Sequence, residues 1–245
     1  AAMLRAYAAR AGVALPPPEA AKGPPAGATE IAVHESRPLL LAVRDLLDYS
    51  NNLSAELIGL ATARALNPKT RTLAEGAAAV RAWLDRTVPA VTRAGWQTVN
   101  QSGLSGRTRA TPRALLELLR FASGRSYAPP PEWQAQEGEG KASQAGEPVP
   151  FLALLRPPSW VEDRDTELGG KSGTMYYARG QAGVLTAASG RRVLFVLMHT
   201  DLAARGAYEA NPARFRAPVQ IRARAWLARA KRLEQQILEY WAASL

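Results

Sequence analysis

Apolar residues recur every three to four positions in several stretches of the chain, which is the spacing of helices with one buried face. The first such stretch covers residues 3–12 and ends at Gly12. Further helices are predicted around Leu39, Val43, Leu46 and Leu47; around Leu53, Leu57, Ile58 and Leu60; over residues 72–86; around Leu115, Leu116, Leu118 and Leu119; and around Ala223, Trp226, Leu227, Ala230, Leu233, Ile237 and Trp241. The fourth of these begins at Thr111-Pro112, a cap followed by proline at the first helical position.

A different pattern, in which apolar and polar residues alternate, predicts strands. It covers Thr29–His34 and recurs around Gly180–Ala187 and Arg192–His199, which the Ser189-Gly190 turn joins. The stretch Pro16–Gly27 is predicted to be a connector, and Tyr127–Pro150 a loop or lid, because both are rich in proline and glycine. The chain is therefore predicted to be an α+β protein with antiparallel strands packed against helices.

Composition indicates a globular protein without disulfides or thiolate metal sites. The chain has 245 residues, of which 47% are hydrophobic, enough to bury the core of one large domain or two small ones. No apolar run approaches the roughly 18 residues of a membrane span, and the first residues lack the apolar core of a secretory signal. Zero cysteines and two histidines leave little for a metal site, and we expect no cofactor.

The formal charge is +10, which implies attraction to polyanions such as nucleic acid, anionic lipid or cell-wall polymer. The arginines are spread along the chain, however, and the basic run Arg222–Arg232 fits the solvated face of a helix. Charge alone does not choose a partner.

Two short motifs carry candidate chemistry. Ser50-Asn51-Asn52 falls at the predicted break between two helices, and Lys171-Ser172-Gly173-Thr174 sits between a Gly-Gly turn and a strand-like run. They match the S-x-N and K-[ST]-G signatures of penicillin-binding proteins and serine β-lactamases. The third signature, a nucleophile written S-x-x-K, is missing, since no serine of the chain has a lysine three positions later.

The residue types suit amide chemistry on a peptide end. Ser50 can pass a proton between a leaving amine and a nearby lysine, while the amide of Asn52 holds a substrate carbonyl. The hydroxyls of Ser172 and Thr174, with the charge of Lys171, are suited to gripping a terminal carboxylate. Gly173 lets a substrate backbone approach the strand edge. His34 and His199 show no Ser-His-Asp spacing, and we expect each to border the core or a turn rather than to act in catalysis.

The two motifs and a third box, read with their flanks, resemble the D-alanyl-D-alanine carboxypeptidase family that includes penicillin-binding protein 4 (peptidase family S13). The matching stretches are Tyr49–Glu56, Gln101–Ser105 with Thr111-Pro112, Gly170–Thr174, Ala182–Leu185 and Ser189–Arg191. The resemblance implies a penicillin-binding protein/β-lactamase-like transpeptidase fold and a periplasmic or wall-associated serine enzyme. Its substrates are peptidoglycan stem peptides, from which it removes the terminal D-Ala, and β-lactams acylate its nucleophile.

By position, the resemblance carries the catalytic roles over to Ser50, Asn52 and Lys171. Substrate binding falls to Ser172, Gly173, Thr174 and Met175, with a backbone N–H near Thr174 or Met175 contributing to an oxyanion hole. The loop Ser102–Ser105 resembles the family element that supports the floor of the site.

Two departures qualify the resemblance. Ser172 replaces the usual threonine but keeps a hydroxyl. Because the S-x-x-K segment is missing, we expect residues 1–245 to be the C-terminal part of a peptidase domain and inert when isolated. Residues 1–28 would be a helix with its connector and residues 29–245 the catalytic-domain portion.

A class A β-lactamase is disfavoured, since its boxes are not separated by a Ser-Gly-Leu-Ser loop and no deacylating glutamate box is visible.

Two other classes of protein remain as alternatives. A non-catalytic module of the same fold would recognise wall peptides or a partner protein, and the sequence upstream of Ala1 would discriminate it from the enzyme. A nucleic-acid-binding protein would need steeply salt-dependent DNA affinity, rests on charge alone, and is disfavoured.

Overall fold

The protein is described by a computed structural model that covers residues 2–20, 23, 26–30, 32–136, 147–158, 160–161 and 168–245. The chain divides into two compact units, residues 1–36 and 37–245. The first unit contains helix α1 (Ala2–Arg10) and an irregular segment. The strand predicted over Thr29–His34 is wrong where the structure describes it: residues 29, 30 and 32–34 are exposed and belong to no strand.

The second unit holds the remaining helices and both sheets of the described residues. The helices are α2 (Leu39–Tyr49), α3 (Asn52–Leu66), α4 (Leu73–Thr87), α5 (Pro89–Arg93), α6 (Pro112–Ser123), α7 (Leu202–Ala210) and α8 (Ala217–Ser244). The strands are β1 (Ser126–Tyr127), β2 (Val149–Pro150), β3 (Leu168–Met175), β4 (Ala178–Thr186) and β5 (Arg192–Thr200).

Strands β3, β4 and β5 form one antiparallel sheet in that order, so among the described residues β3 is an edge strand. Its hairpin to β4 turns through Tyr176 and Tyr177, and Tyr177 has a φ of 58°, a value that costs a non-glycine residue energy. Ring contacts hold this turn in place: Tyr176 packs on Tyr208 of α7, and Tyr177 packs on Trp226 of α8. The turn is therefore fixed by helices that follow it in the chain.

Helix α8 packs on the face of this sheet that presents Leu168, Leu185 and Phe195, with Leu238 completing the cluster. Helix α6 contacts β4 and β5. A second cluster joins Leu41 of α2 to Trp133, Val149 and Leu154. The sheet is therefore packed against helices, as the α+β prediction requires.

The stretch predicted as a loop or lid has regular structure at both of its ends. Strands β1 and β2 pair with each other, and a 3-10 helix over Pro131–Gln136 buries Trp133 in the second cluster. Apolar anchoring by a tryptophan explains why so proline-rich a stretch is ordered there. Residues 137–146 of the predicted lid lie outside the described residues.

Candidate active site

Ser50 lies at the break between α2 and α3, as the sequence predicts. Its backbone is left-handed, with φ 56° and ψ 41°, and its N–H donates to the carbonyl oxygen of Leu46 at 2.9 Å. Asn51 then caps α3, because its side-chain oxygen accepts from the N–H of Ser54 at 3.0 Å. One helix thus ends and the next begins within two residues, which leaves the Ser50 hydroxyl exposed.

The structure brings Ser50 and Lys171 into direct contact although they are 121 residues apart. The Nζ of Lys171 donates to Oγ of Ser50 at 2.7 Å and to the carbonyl oxygen of Ser172 at 2.7 Å. Both partners act as acceptors, so the Ser50 hydroxyl keeps its own proton for another group. A proton can therefore move along a lysine–serine pair at this position.

The surroundings of Lys171 disfavour its ammonium form. Burial lowers the pKa of Lys171 below its ordinary value, and the positive charge of Arg179 lowers it further, while Asp48 acts in the opposite direction. A lysine whose pKa is lowered is better able to take up and release a proton near neutral pH.

The outer edge of β3 presents backbone groups to a ligand. The N–H of Gly170 points away from β4, because it donates to the carbonyl oxygen of Arg156 at 2.9 Å. The direction of the backbone N–H alternates from one residue to the next along an antiparallel strand. The N–H groups of Ser172 and Thr174 therefore point outward, as that of Gly170 does. Met175 pairs with Ala178 next to the turn, and its backbone N–H points toward β4. Of the two predicted sources of an oxyanion-hole N–H, Thr174 is the one at the open edge.

The residues around Thr174 differ sharply in the space they leave. A Cβ placed on Gly173 would meet nothing within 4 Å, so a ligand backbone can approach there. Thr174 is exposed, and its Oγ1 accepts from Nη1 of Arg179 at 2.8 Å. The sulfur of Met175 instead accepts from Arg205 of α7 at 3.5 Å.

Asn52 is exposed in the first turn of α3, directly after the cap.

Sequence reasoning assigned no role to Glu56, which lies one turn after Asn52 on α3. Its carboxylate accepts from the N–H groups of Gln101 and Ser102 at 3.1 Å each, from the Ser102 hydroxyl at 2.7 Å and from the Asn100 amide at 2.8 Å. Burial alone would raise the pKa of Glu56, but these hydrogen bonds outweigh it and lower the pKa. Glu56 therefore fastens the predicted Ser102–Ser105 loop to the helix that begins beside Ser50.

A signal for Glu56 was present in the sequence. An acidic residue four positions after Asn52 falls on the same face of a helix, among apolar residues. Such a carboxylate needs donors, and a loop with free N–H groups supplies them.

The described residues contain no group of three or more His, Asp or Glu side chains that could hold a metal ion. In the same parts of the chain, no helix is long and apolar enough to cross a membrane.

Comparison with known proteins decides the family. A sequence model of the D-Ala-D-Ala carboxypeptidase 3 (S13) family matches residues 3–130, more than half of the chain. The chain belongs to this peptidase family. The S13 match includes Ser50, Asn52, Glu56 and the Ser102–Ser105 loop, and it ends before Lys171, whose position beside Ser50 comes from the fold.

A carboxypeptidase of Mycobacterium tuberculosis is 29% identical to this S13 chain over 184 residues. The alignment covers 74% of the chain and 38% of that relative. Penicillin binding protein 4 of Haemophilus influenzae, solved with a β-lactam, superposes with a TM-score of 0.55 at 19% identity. The match covers 97% of the chain and 50% of that structure, and it confirms the predicted fold. The chain thus spans half or less of the length of these two proteins.

A predatory endopeptidase of Bdellovibrio bacteriovorus, solved with its immunity protein, superposes with a TM-score of 0.47 at 16% identity. That match covers 97% of the chain and 55% of the solved chain.

Proposed function

We propose that this chain forms part of a serine-type D-Ala-D-Ala carboxypeptidase that acts on peptidoglycan stem peptides in the periplasm. The observation that carries the proposal is the 2.7 Å contact between Lys171 and Ser50 beside the open edge of β3. Family membership and the fold of a β-lactam-binding relative support it. The endopeptidase reaction at a D-Ala-to-diaminopimelate cross-link would use the same groups.

In the proposed reaction, a serine oxygen supplied by an S-x-x-K segment attacks the carbonyl carbon of the penultimate D-Ala. The proton of that serine passes to the lysine of the same segment, an ester forms, the C–N bond to the terminal D-Ala breaks, and the leaving nitrogen takes a proton. Ser50 is placed to deliver that proton and Lys171 to replace it. Water then hydrolyses the ester and regenerates the serine.

The remaining groups hold the substrate. Its backbone lies along the edge of β3, where Gly173 leaves room, and the N–H of Thr174 stabilises the oxyanion. The hydroxyls of Ser172 and Thr174 bind the terminal carboxylate, and the amide of Asn52 binds a substrate carbonyl.

Covalent labelling with a fluorescent penicillin tests the proposal. The 245-residue chain contains no S-x-x-K, and we expect it to form no adduct. The product of the complete reading frame should be labelled, and Ser50→Ala in that product should slow labelling about 10²- to 10⁴-fold, because proton transfer is lost.

Ser54→Ala, one turn further along α3, is the matched control and should label normally. An adduct on the isolated chain would show that its nucleophile had been overlooked. Unchanged labelling of the Ser50→Ala product would remove Ser50 from the mechanism.

A second candidate function is a non-catalytic module that binds wall peptides. The absence of S-x-x-K from these 245 residues, together with an open strand edge, favours it. A complete reading frame that also lacks S-x-x-K, and whose product binds a D-Ala-D-Ala peptide without cleaving it, would establish this function.

A further inference from the structure

We propose that Arg179 and Glu234 are a positioning pair that fixes the Thr174 hydroxyl as a donor to the terminal carboxylate of the bound peptide. The pair would thereby set a preference for a free acid over an amide at that end. The inference rests on the proposed function for its ligand and names two residues outside the three sequence boxes.

The pair is buried and held by several hydrogen bonds. Arg179 Nε donates to both oxygens of Glu234, at 3.2 and 3.1 Å, and Nη2 donates to Oε1 at 2.5 Å. The side chains are 9% and 1% exposed. A forked guanidinium bound by one carboxylate in this way has a fixed plane and direction.

The remaining terminal nitrogen of Arg179 is directed at β3, the strand along which the peptide is proposed to lie. Nη1 of Arg179 donates to Oγ1 of Thr174 at 2.8 Å. Arginine has no acceptor, so the threonine oxygen can only accept in this contact. The proton of the Thr174 hydroxyl must then point elsewhere, and because the residue is exposed at the strand edge, that proton is available to a ligand.

A carboxylate accepts such a proton on either of two charged oxygens, whereas an amide has one neutral acceptor oxygen and a nitrogen that only donates. With one lone pair already occupied by Arg179, the Thr174 oxygen is less able to receive an N–H from an amide end. Lysine could not replace Arg179, since a single ammonium cannot bind Glu234 through two atoms and still reach Thr174 in a fixed direction.

Glu234 supplies what a buried guanidinium needs. It lies on α8, packed behind the sheet, and is 55 residues from Arg179 in the sequence. Without this carboxylate, the arginine would lose its charge partner in a buried setting and would turn toward solvent. Glu234 therefore acts on Thr174 of β3 through Arg179, without touching the ligand.

The test uses the 245-residue chain and an acetylated peptide ending in D-Ala-D-Ala, prepared as the free acid and as the C-terminal amide. Affinities are measured by NMR titration. The double variant Arg179→Met/Glu234→Leu removes the pair without leaving an unpaired buried charge, and should lower the acid-to-amide affinity ratio by about tenfold or more. Thr174→Val should lower the ratio equally, with no further loss when it is combined with the double variant.

Two further variants separate positioning from folding. Arg179→Lys retains the charge and should show the same loss, which also serves if the double variant does not fold. Glu117→Gln removes the carboxylate that pairs with two exposed arginines on α6, Arg113 and Arg120, and should leave the ratio unchanged. An unchanged ratio in a folded Arg179→Lys or double variant overturns the proposal.

A ligand-free measurement distinguishes this proposal from the proposed function. Three-bond couplings of Thr174 should report one side-chain rotamer in the wild type and averaged rotamers in the variants. If neither peptide binds the wild type, the ligand of the proposed function is wrong, and the couplings still decide the positioning role. A single rotamer in the variants would overturn it.

Discussion

The fold places Lys171 beside Ser50 in surroundings that disfavour its charged form. Burial and the charge of Arg179 both oppose its ammonium, so the folded chain holds the proton of Lys171 less tightly than the unfolded chain does. Between the lowered pKa and the ordinary value of 10.5, the unfolded chain binds more protons. Stability must therefore rise with pH through that window, and the cost is present in full below it.

Lys171→Met removes this titration and gives the first prediction. As pH rises from 7 to above 10.5, the unfolding free energy of the wild type should increase relative to that of the variant. The gain should be roughly 1 kcal/mol at most, because Lys171 is only partly buried and solvent screens its charge. Urea denaturation of the wild type and of the variant across this pH range measures the difference. A relative loss for the wild type would contradict the lowered pKa.

The residue scale also shows where sequence reasoning stops. Helical periodicity and the S-x-N box predicted a break at Ser50, and that break is confirmed. The left-handed backbone of Ser50 was not predictable, because residues other than glycine rarely adopt it.

At the scale of elements, the contact between β3 and β4 depends on glycine. A Cβ on Gly183 would lie 2.0 Å from the carbonyl oxygen of Gly169 and 2.7 Å from Cα of Gly170. Both neighbours are backbone atoms, so neither can move without separating the strands. The close approach sets how β3 lies on β4, and hence where its outer edge lies.

Gly183→Ala is accordingly predicted to destabilise the chain by about 3 kcal/mol or more, since overpacking here displaces backbone. Gly173→Ala on β3, where the added methyl meets nothing, should change the free energy of unfolding by less than about 1 kcal/mol. Urea denaturation compares the two variants. Equal stability of both would show that the strands do not approach so closely.

Elements with strong local patterns were predictable and the others were not. Strands β4 and β5 and the long helices were predicted close to their observed bounds. The helix predicted over residues 72–86 is observed as α4, whereas the short helix α5, which Pro89 opens, was not predicted. Strands β1 and β2 have two residues each, and their pairing across more than twenty positions leaves no local pattern to read. Alternation alone misled at Thr29–His34, because the described residues there are exposed.

At the scale of the molecule, α8 packs on the sheet that carries the site. Leu238 is 1% exposed in the cluster with Leu168, Leu185 and Phe195, while Leu233 on the same helix is 48% exposed. The buried leucine therefore reports on the packing of the final helix against the sheet, and its exposed neighbour reports on helix propensity alone.

Leu238→Ala should lower the unfolding free energy by about 2–5 kcal/mol through lost burial and an unfilled cavity. Leu233→Ala should change it by about 0.5 kcal/mol or less. Both values come from urea denaturation followed by circular dichroism. A small effect at Leu238 would mean that α8 does not complete the core.

The site was only partly predictable at this scale. The resemblance assigned catalytic roles to Ser50 and Lys171 together, and the structure places their side chains in contact. The Arg179–Glu234 pair was not expected, because its residues are 55 positions apart and their spacing follows no repeating pattern. Glu56 carried a signal within its own helix, but its partners 44 to 46 positions later carried none.

The distance in sequence between Arg179 and Glu234 has a consequence for the growing chain on the ribosome. Synthesis at roughly 5–20 residues per second separates the two by roughly 3 to 11 seconds. During that interval the β3–β4 hairpin can form, but its arginine has no carboxylate to meet and stays hydrated. The sheet therefore reaches its final desolvated form only after α8 has been synthesised, so the packing around Arg179 matures later than the β3–β4 hairpin itself.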